Sequence, residues 1–235
     1  MKLRYFTLIL LSIIIYSCSN NTHSPEFIEK VSGRYLYNSD EVIGVYFNEN
    51  ELYLEWRGAK KIKPLKVDKN TFFVKEMNEK FQFLTNPSNK KDYLVLVPKE
   101  EGNTEIIYNY KKLSKKENVP SEYFKNKEFK KALNGYLTIQ NNDSLDESIK
   151  EVNFNRLGYQ ELREENYETA IEYFKINVAL YPNSSNVYDS YADAFMRNGD
   201  TAKAITNYKK SLAIDSGNRR AKKNIEKLQK PITKN

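Results

Sequence analysis

The chain has 235 residues, a formal charge of +7, one cysteine and one histidine, and 18 Tyr and 12 Phe supply bulky apolar surface. That length and aromatic content suit one or two packed domains. A single histidine, His23, so near the start of the chain leaves no Ser-His-Asp or Cys-His arrangement and no zinc site of the usual Cys and His types.

The first residues read MKLRYFTLILLSIIIYSCSNN, with Lys2 and Arg4 ahead of an apolar run from Tyr5 to Tyr16 and Ser17 and Cys18 behind it. That is the order of a secretory signal. The run is too short to cross a hydrocarbon layer of roughly 30 Å as a helix, which takes about 20 residues. Its end, IYSC, resembles a bacterial lipobox, with Ile15 and Ser17 fitting and Tyr16 bulkier than usual. The resemblance implies a lipoprotein signal peptide over 1–17, acylation of Cys18, and a protein anchored to a membrane through its N-terminal lipid rather than spanning it. Residues 18–30, polar at first and including His23, read as a tether.

Removal of residues 1–17 lowers the formal charge from +7 to +5, and residues 219–235 hold seven Lys or Arg against one Glu. The basic character therefore belongs to a tail. Nucleic-acid binding needs a basic stripe along a face, so no nucleic-acid partner is expected.

From 31 to 113 the apolar residues alternate with period two. GRYLY, EVIGVYF, ELYLEW, KIKPLKV, TFFVK, KFQFL, DYLVLV and TEIIYNY are separated by NENE, DKN, NPSNKK and PKEEGN. Short polar connections favour antiparallel neighbours, which predicts a small barrel-like or strongly curved sheet. Ile43, Val45 and Phe47, or Leu52, Leu54 and Trp56, would point inward and fill the interior.

Past residue 113 the spacing turns helical, with a linker and degenerate half-repeat over 114–150 in which Phe129, Ala132 and Tyr136 take packing roles. A 34-residue offset then superposes Phe154 on Tyr188, Gly158 on Ala192, Ala170 on Ala204, Ile171 on Ile205 and Phe174 on Tyr208. This pattern resembles the tetratricopeptide repeat, whose helices A and B approach through small residues at the eighth and twentieth positions. The resemblance implies two repeats over 151–218 and a basic capping helix and tail over 219–235. Glu161, Asn177 and Ser216 depart from it, standing where an aromatic, an alanine and a proline are usual. The fold class expected is α+β in two domains: a small antiparallel β barrel-like domain followed by an all-α array of helical hairpins.

Ser88 and Lys91, in PSNKK, match the S-x-x-K pattern of penicillin-recognising hydrolases, but the chain has no K-T-G and the match lies in a predicted turn. No glycine-rich phosphate loop or DxDxDG loop is present. Neither a catalytic residue nor a cofactor or metal is expected. The order GRYLYN, then VPSEYFKNKEFKKALNGY, then NRLGYQELREENYETAIEYFKINVALYPNSSNVYDSYADAF is similar to the C-terminal accessory region of exported β-lactamase-like serine hydrolases of Bacteroidetes-type bacteria, without the hydrolase domain.

In the tetratricopeptide family the inner groove is lined by helix A. The resemblance assigns Asn155, Tyr159 and Arg163 from repeat one, Asn186, Asp189, Asp193 and Arg197 from repeat two, and Arg220 and Lys223 from the cap. The set does not match the two-carboxylate clamp of chaperone-binding members, which has Lys and Asn at the fifth and ninth positions where Asn155 and Tyr159 stand. Of these groups, Asp189, Asp193 and Arg197 are expected to be free for contact. The expected function is a non-catalytic, membrane-anchored module that binds a protein or peptide, on the periplasmic side of a bacterial outer membrane. A carrier of a small apolar ligand inside the β domain is the alternative, and a remnant of a hydrolase a remote one.

Overall fold

A computed structural model describes residues 23–230 apart from 101. Cys18 and the signal-like run lie outside the described residues. Among those described, no helix is long and apolar enough to cross a membrane.

Residues 25–30, expected in a tether, instead belong to helix α1 (Pro25–Val31). Ser24 caps it by accepting the Phe27 N–H, and Pro25 supplies a preset first turn. Phe27 and Val31, one turn apart, then lie against the β core, and this apolar contact holds the segment down.

The barrel-like expectation is corrected. The strands form two open antiparallel sheets: β1 (Gly33–Asn38), β2 (Glu41–Asn48), β3 (Glu51–Trp56) and β4 (Ala59–Ile62) in one, and β5 (Leu65–Lys66), β6 (Thr71–Val74), β7 (Glu79–Thr85), β8 (Asp92–Leu96) and β9 (Tyr110–Lys111) in the other. The run KIKPLKV is split between β4 and β5 at Pro64, which has no N–H for a ladder. TEIIYNY contributes only its end, because the Leu96 N–H donates to the Asn109 side chain at 2.8 Å instead of to a backbone carbonyl. On that side the sheets meet through the single bridge Tyr35–Lys112. Two-residue loops with positive φ at both positions, Glu49–Asn50 and Arg57–Gly58, match the right-handed twist of the hairpins they close.

The interior between the sheets is occupied by side chains. Tyr35, Ile43, Val45, Leu52, Leu54, Phe72, Phe81 and Leu94 are buried in one apolar cluster, as their period-two spacing predicts.

The helical half runs α2 (Pro120–Lys125), α3 (Phe129–Asn142), a 3-10 turn (Glu147–Ile149), α4 (Glu151–Arg163), α5 (Tyr167–Leu180), α6 (Ser185–Arg197), α7 (Thr201–Ile214) and α8 (Arg219–Gln229). Helices α4 to α8 each pack on the next, so α4/α5 and α6/α7 are hairpins repeated at the 34-residue period. Gly158 shows why small residues recur: a Cβ there would lie 2.5 to 2.9 Å from the Phe174 ring. Ala170, Ala192 and Ala204 are fully buried. Asn177 tolerates burial because its amide donates to the Glu151 carbonyl at 3.1 Å.

The halves are joined through the turn between β1 and β2. The Ser121 N–H donates to Asp40 Oδ1 at 2.6 Å and the Tyr136 hydroxyl to Asp40 Oδ2 at 2.8 Å. The Ser39 hydroxyl donates to Asp146, and Arg34 pairs with Glu122. Burial pushes the Asp40 carboxyl up to about 6, opposed by the Ser121 and Tyr136 donors and assisted by the charge of Asp146.

Two predictions follow from this packing. Gly158→Val drives two methyl groups into the Phe174 ring and should lower unfolding free energy by about 1–3 kcal/mol, read as a fall in the urea midpoint. For Asp40, the folded pKa stands above the unfolded one, so the folded state holds the proton more tightly. Its contribution is most favourable at low pH and declines as pH rises through about 6. Between pH 4 and 7 the decline amounts to about 2 kcal/mol. Asp40→Asn should remove that slope in urea titrations run across the interval, and an unchanged slope would exclude Asp40 as its source.

Candidate functional site on the helical repeats

The most densely connected polar cluster lies on the face shared by α4, α6 and α8. Arg220 begins the second residue of α8, after Asn218 caps that helix by accepting the Ala221 N–H at 3.0 Å. From there its Nε donates to Asp189 Oδ2 at 2.6 Å, its Nη1 to Asp193 Oδ2 at 3.0 Å and its Nη2 to the Tyr159 hydroxyl at 3.2 Å. One guanidinium thus touches both repeats. Its planar fork suits this, having five donors in fixed directions.

Asp193 accepts two further hydrogen bonds, from the Tyr159 hydroxyl at 3.2 Å and the Tyr208 hydroxyl at 3.0 Å. Asn224 of α8 donates in turn to the Tyr208 oxygen at 2.8 Å. Burial, then the charge of Asp193, raises the Tyr208 pKa well above the ordinary phenol range, so the phenol keeps its proton as a donor.

Asp189 and Asp193 are therefore not free for contact, contrary to expectation: both are buried and paired with Arg220. Tyr159 is half-buried in the same network. Asn155 sits at the equivalent of Asp189, 34 residues earlier, and its Oδ1, like Asp189 Oδ1, is buried without a donor among the described residues. Asn186 is exposed and donates to Glu151 at 2.9 Å. Arg163, Arg197 and Lys223 are exposed and make no ion pair among the described residues. Arg220 keeps 46% of its side chain accessible. The Asp189 and Asp193 carboxylates are thus spent internally, while Arg163, Arg197 and Lys223 stay exposed, with the Glu151 carboxylate beside Asn186.

Tyr208 and Asn224 belong to this network although the sequence reading includes neither among the groove residues. A signal was present. At the ninth position repeat one has Tyr159 where repeat two has Asp193, and at the twenty-fourth it has Phe174 where repeat two has Tyr208. In repeat one the two rings meet edge to face with centroids 5.3 Å apart; in repeat two the Asp193 carboxylate accepts a hydrogen bond from the Tyr208 hydroxyl. The positions change together because they touch.

Elsewhere, His23 has three ring neighbours, Phe27, Phe47 and Phe72, with centroids 5.0 to 5.9 Å away. Ser88 lies in the β7–β8 turn, its N–H donating to Asn86 Oδ1 at 2.8 Å, not at the start of a helix as S-x-x-K chemistry requires. No group of three or more metal-ligating side chains is found among the described residues.

The network predicts a graded response. Arg220→Ala leaves two buried carboxylates without a counter-ion and should lower unfolding free energy by about 2–4 kcal/mol, with the α8 amides exchanging first. Lys223→Ala, one turn along the same helix, should stay within about 0.5 kcal/mol. Hydrogen exchange and urea unfolding of both variants check this.

No protein-family model matches the chain. Similar solved structures include the second TPR domain of human RPAP3, in complex with an HSP70 peptide, 18% identical with a TM-score of 0.35, covering 48% of this chain and 90% of that one. A MamA mutant is 15% identical with a TM-score of 0.38, covering 46% and 77%, and the Arabidopsis OM64 TPR domain is 16% identical with a TM-score of 0.34, covering 48% and 90%. Among curated sequences, the uncharacterized protein ycf37 of Cyanophora paradoxa is 32% identical over 133 residues, which span 57% of this chain and 73% of that protein. With a 34-residue period, paired helices and that extent of identity, this chain is a tetratricopeptide-repeat protein and belongs to the family of ycf37.

Proposed function

We propose that the protein is a non-catalytic interaction module, anchored in a bacterial envelope through a lipid on Cys18, whose α4–α6–α8 face captures an acidic segment of a partner protein. The observation that carries the partner's chemistry is the internal pairing of Asp189 and Asp193 with Arg220. Arg163, Arg197, Lys223 and the accessible part of Arg220 then outnumber Glu151 among the charges a partner meets. Opposite charge then sets the approach and register of the segment.

Anchoring is supported by the order of Lys2 and Arg4, apolar run, and Ser17–Cys18, which places acylation at the only cysteine. An outer-membrane position facing the periplasm accords with the polar, non-acidic residues that follow Cys18. The absence of catalytic function is supported by the setting of His23 among phenylalanines and of Ser88 in a turn. The family resemblance to accessory regions of exported hydrolases supports a role beside another protein, not a chemistry of its own.

Fluorescence anisotropy with labelled acidic, basic and neutral peptides tests the partner class. The acidic set should bind best, weaken as salt is raised, and lose at least about tenfold in affinity when Arg163, Arg197 and Lys223 are all replaced by Glu. Preference for basic peptides, or indifference to the triple substitution, would exclude an acidic partner on this face.

A further inference from the structure

Residues 59–67, AKKIKPLKV, form an outer edge of both sheets, since β4 ends one sheet and β5 begins the other. Ile62 and Pro64 are buried while Lys61, Lys63, Leu65 and Val67 are exposed, so alternate residues make one outward row. Leu65 and Val67 are 49% and 52% exposed. Lys60, Lys66 and Lys69 are exposed beside that row. Among the described residues only Lys63 of these lysines is in an ion pair, with Glu51 at 2.6 Å. Asp68, the acid within the stretch, turns to its own backbone and accepts from the Asn70 and Thr71 N–H groups.

Lysines alone on an edge strand would be explained as a guard against edge-to-edge pairing. Leu65 and Val67 standing open between them are not, because exposed apolar side chains invite the pairing that the lysines oppose. A strip that mixes ammonium groups with open aliphatic side chains fits a lipid surface, where charge meets anionic headgroups and the aliphatic groups enter the interfacial layer.

The position of the N-terminal segment supplies an independent reason. His23 lines a cleft of about 240 Å³ together with Lys63, Pro64, Leu65 and Lys66, and its backbone N–H is fixed to Asn50 Oδ1 at 3.1 Å. Cys18 is five residues earlier, and five residues reach at most about 18 Å. A lipid on Cys18 therefore keeps His23 within that distance of the bilayer, and with it the cleft that Lys63 and Lys66 line.

We propose that the edge formed by residues 59–69 lies flat on an anionic membrane surface, its lysines on lipid headgroups and Leu65 and Val67 in the interfacial layer. The orientation rests on the acylation of Cys18, whereas the chemistry of the strip does not. The docked edge fixes how the β half stands on the membrane, and through it where the helical face is presented.

The test uses the full chain carrying Val67→Cys, labelled with an environment-sensitive dye and reconstituted into vesicles of phosphatidylcholine alone or with phosphatidylglycerol in roughly 2:1 proportion. The unsubstituted chain, treated alike, reads any free Cys18, and labelled palmitate incorporation reads acylation separately. A blue shift in the mixed vesicles only, abolished when Lys60, Lys61, Lys66 and Lys69 are replaced by Gln, is expected. Palmitate incorporated without that shift overturns the docking edge while the anchor stands. The shift without palmitate keeps the edge as a lipid-binding surface and removes the anchor. A shift equal in both vesicles, or unchanged by the Gln substitutions, also overturns the docking edge.

Discussion

A half-buried carboxylate in a hairpin turn holds the two halves of this protein together. Asp40 lies at the β1–β2 turn, yet its hydrogen-bond donors come from α2 and α3, Ser121 and Tyr136. A carboxylate removed from water needs such donors. The turn is thus docked in the helical half, and the Arg34–Glu122 pair fastens the same strand a few residues earlier. Whatever the β half does at a surface is thereby coupled to the orientation of the repeats.

A second constraint acts inside the helical half. Two hairpins give a short stack, and the last helix of a stack has only one neighbour to hold it. Ala221, Ile225 and Leu228 pack α8 on the array, but the helix is strongly basic and has little apolar surface. Arg220 and Asn224 compensate by reaching into the polar face of the preceding repeats. The same contacts convert a face with two carboxylates into one that presents cations, so stability of the cap and chemistry of the binding face have one origin.

The repeats were legible because their signal is periodic and local. Gly158, Ala170, Ala192 and Ala204 recur at fixed spacing, and steric closeness between the paired helices is what enforces small side chains there. The strands were legible for a similar reason, alternation being a property of the chain itself. Less legible were their ends and closure. Pro64 broke one predicted strand, and the Asn109 side chain stopped another. The helix over Pro25–Val31 was hidden in a short polar-looking segment, since what orders it is a core assembled from strands that follow it in sequence.

The sequence by itself determined that an alternating β part precedes a helical array of 34-residue repeats, which residues face the repeat interior, and that the chain carries a signal-like run ending at Cys18. Only the tertiary structure decided that the sheets stay open, that Asp40 is the joint between the halves, and that Asp189 and Asp193 are closed off by Arg220. The physical reason is one of range. Periodicity reports how a residue stands relative to its own helix or strand, whereas hydrogen bonds such as Asp40 to Tyr136 and Asp189 to Arg220 join residues 96 and 31 positions apart. Their pairing depends on how whole elements are brought together, and no spacing along the chain records it.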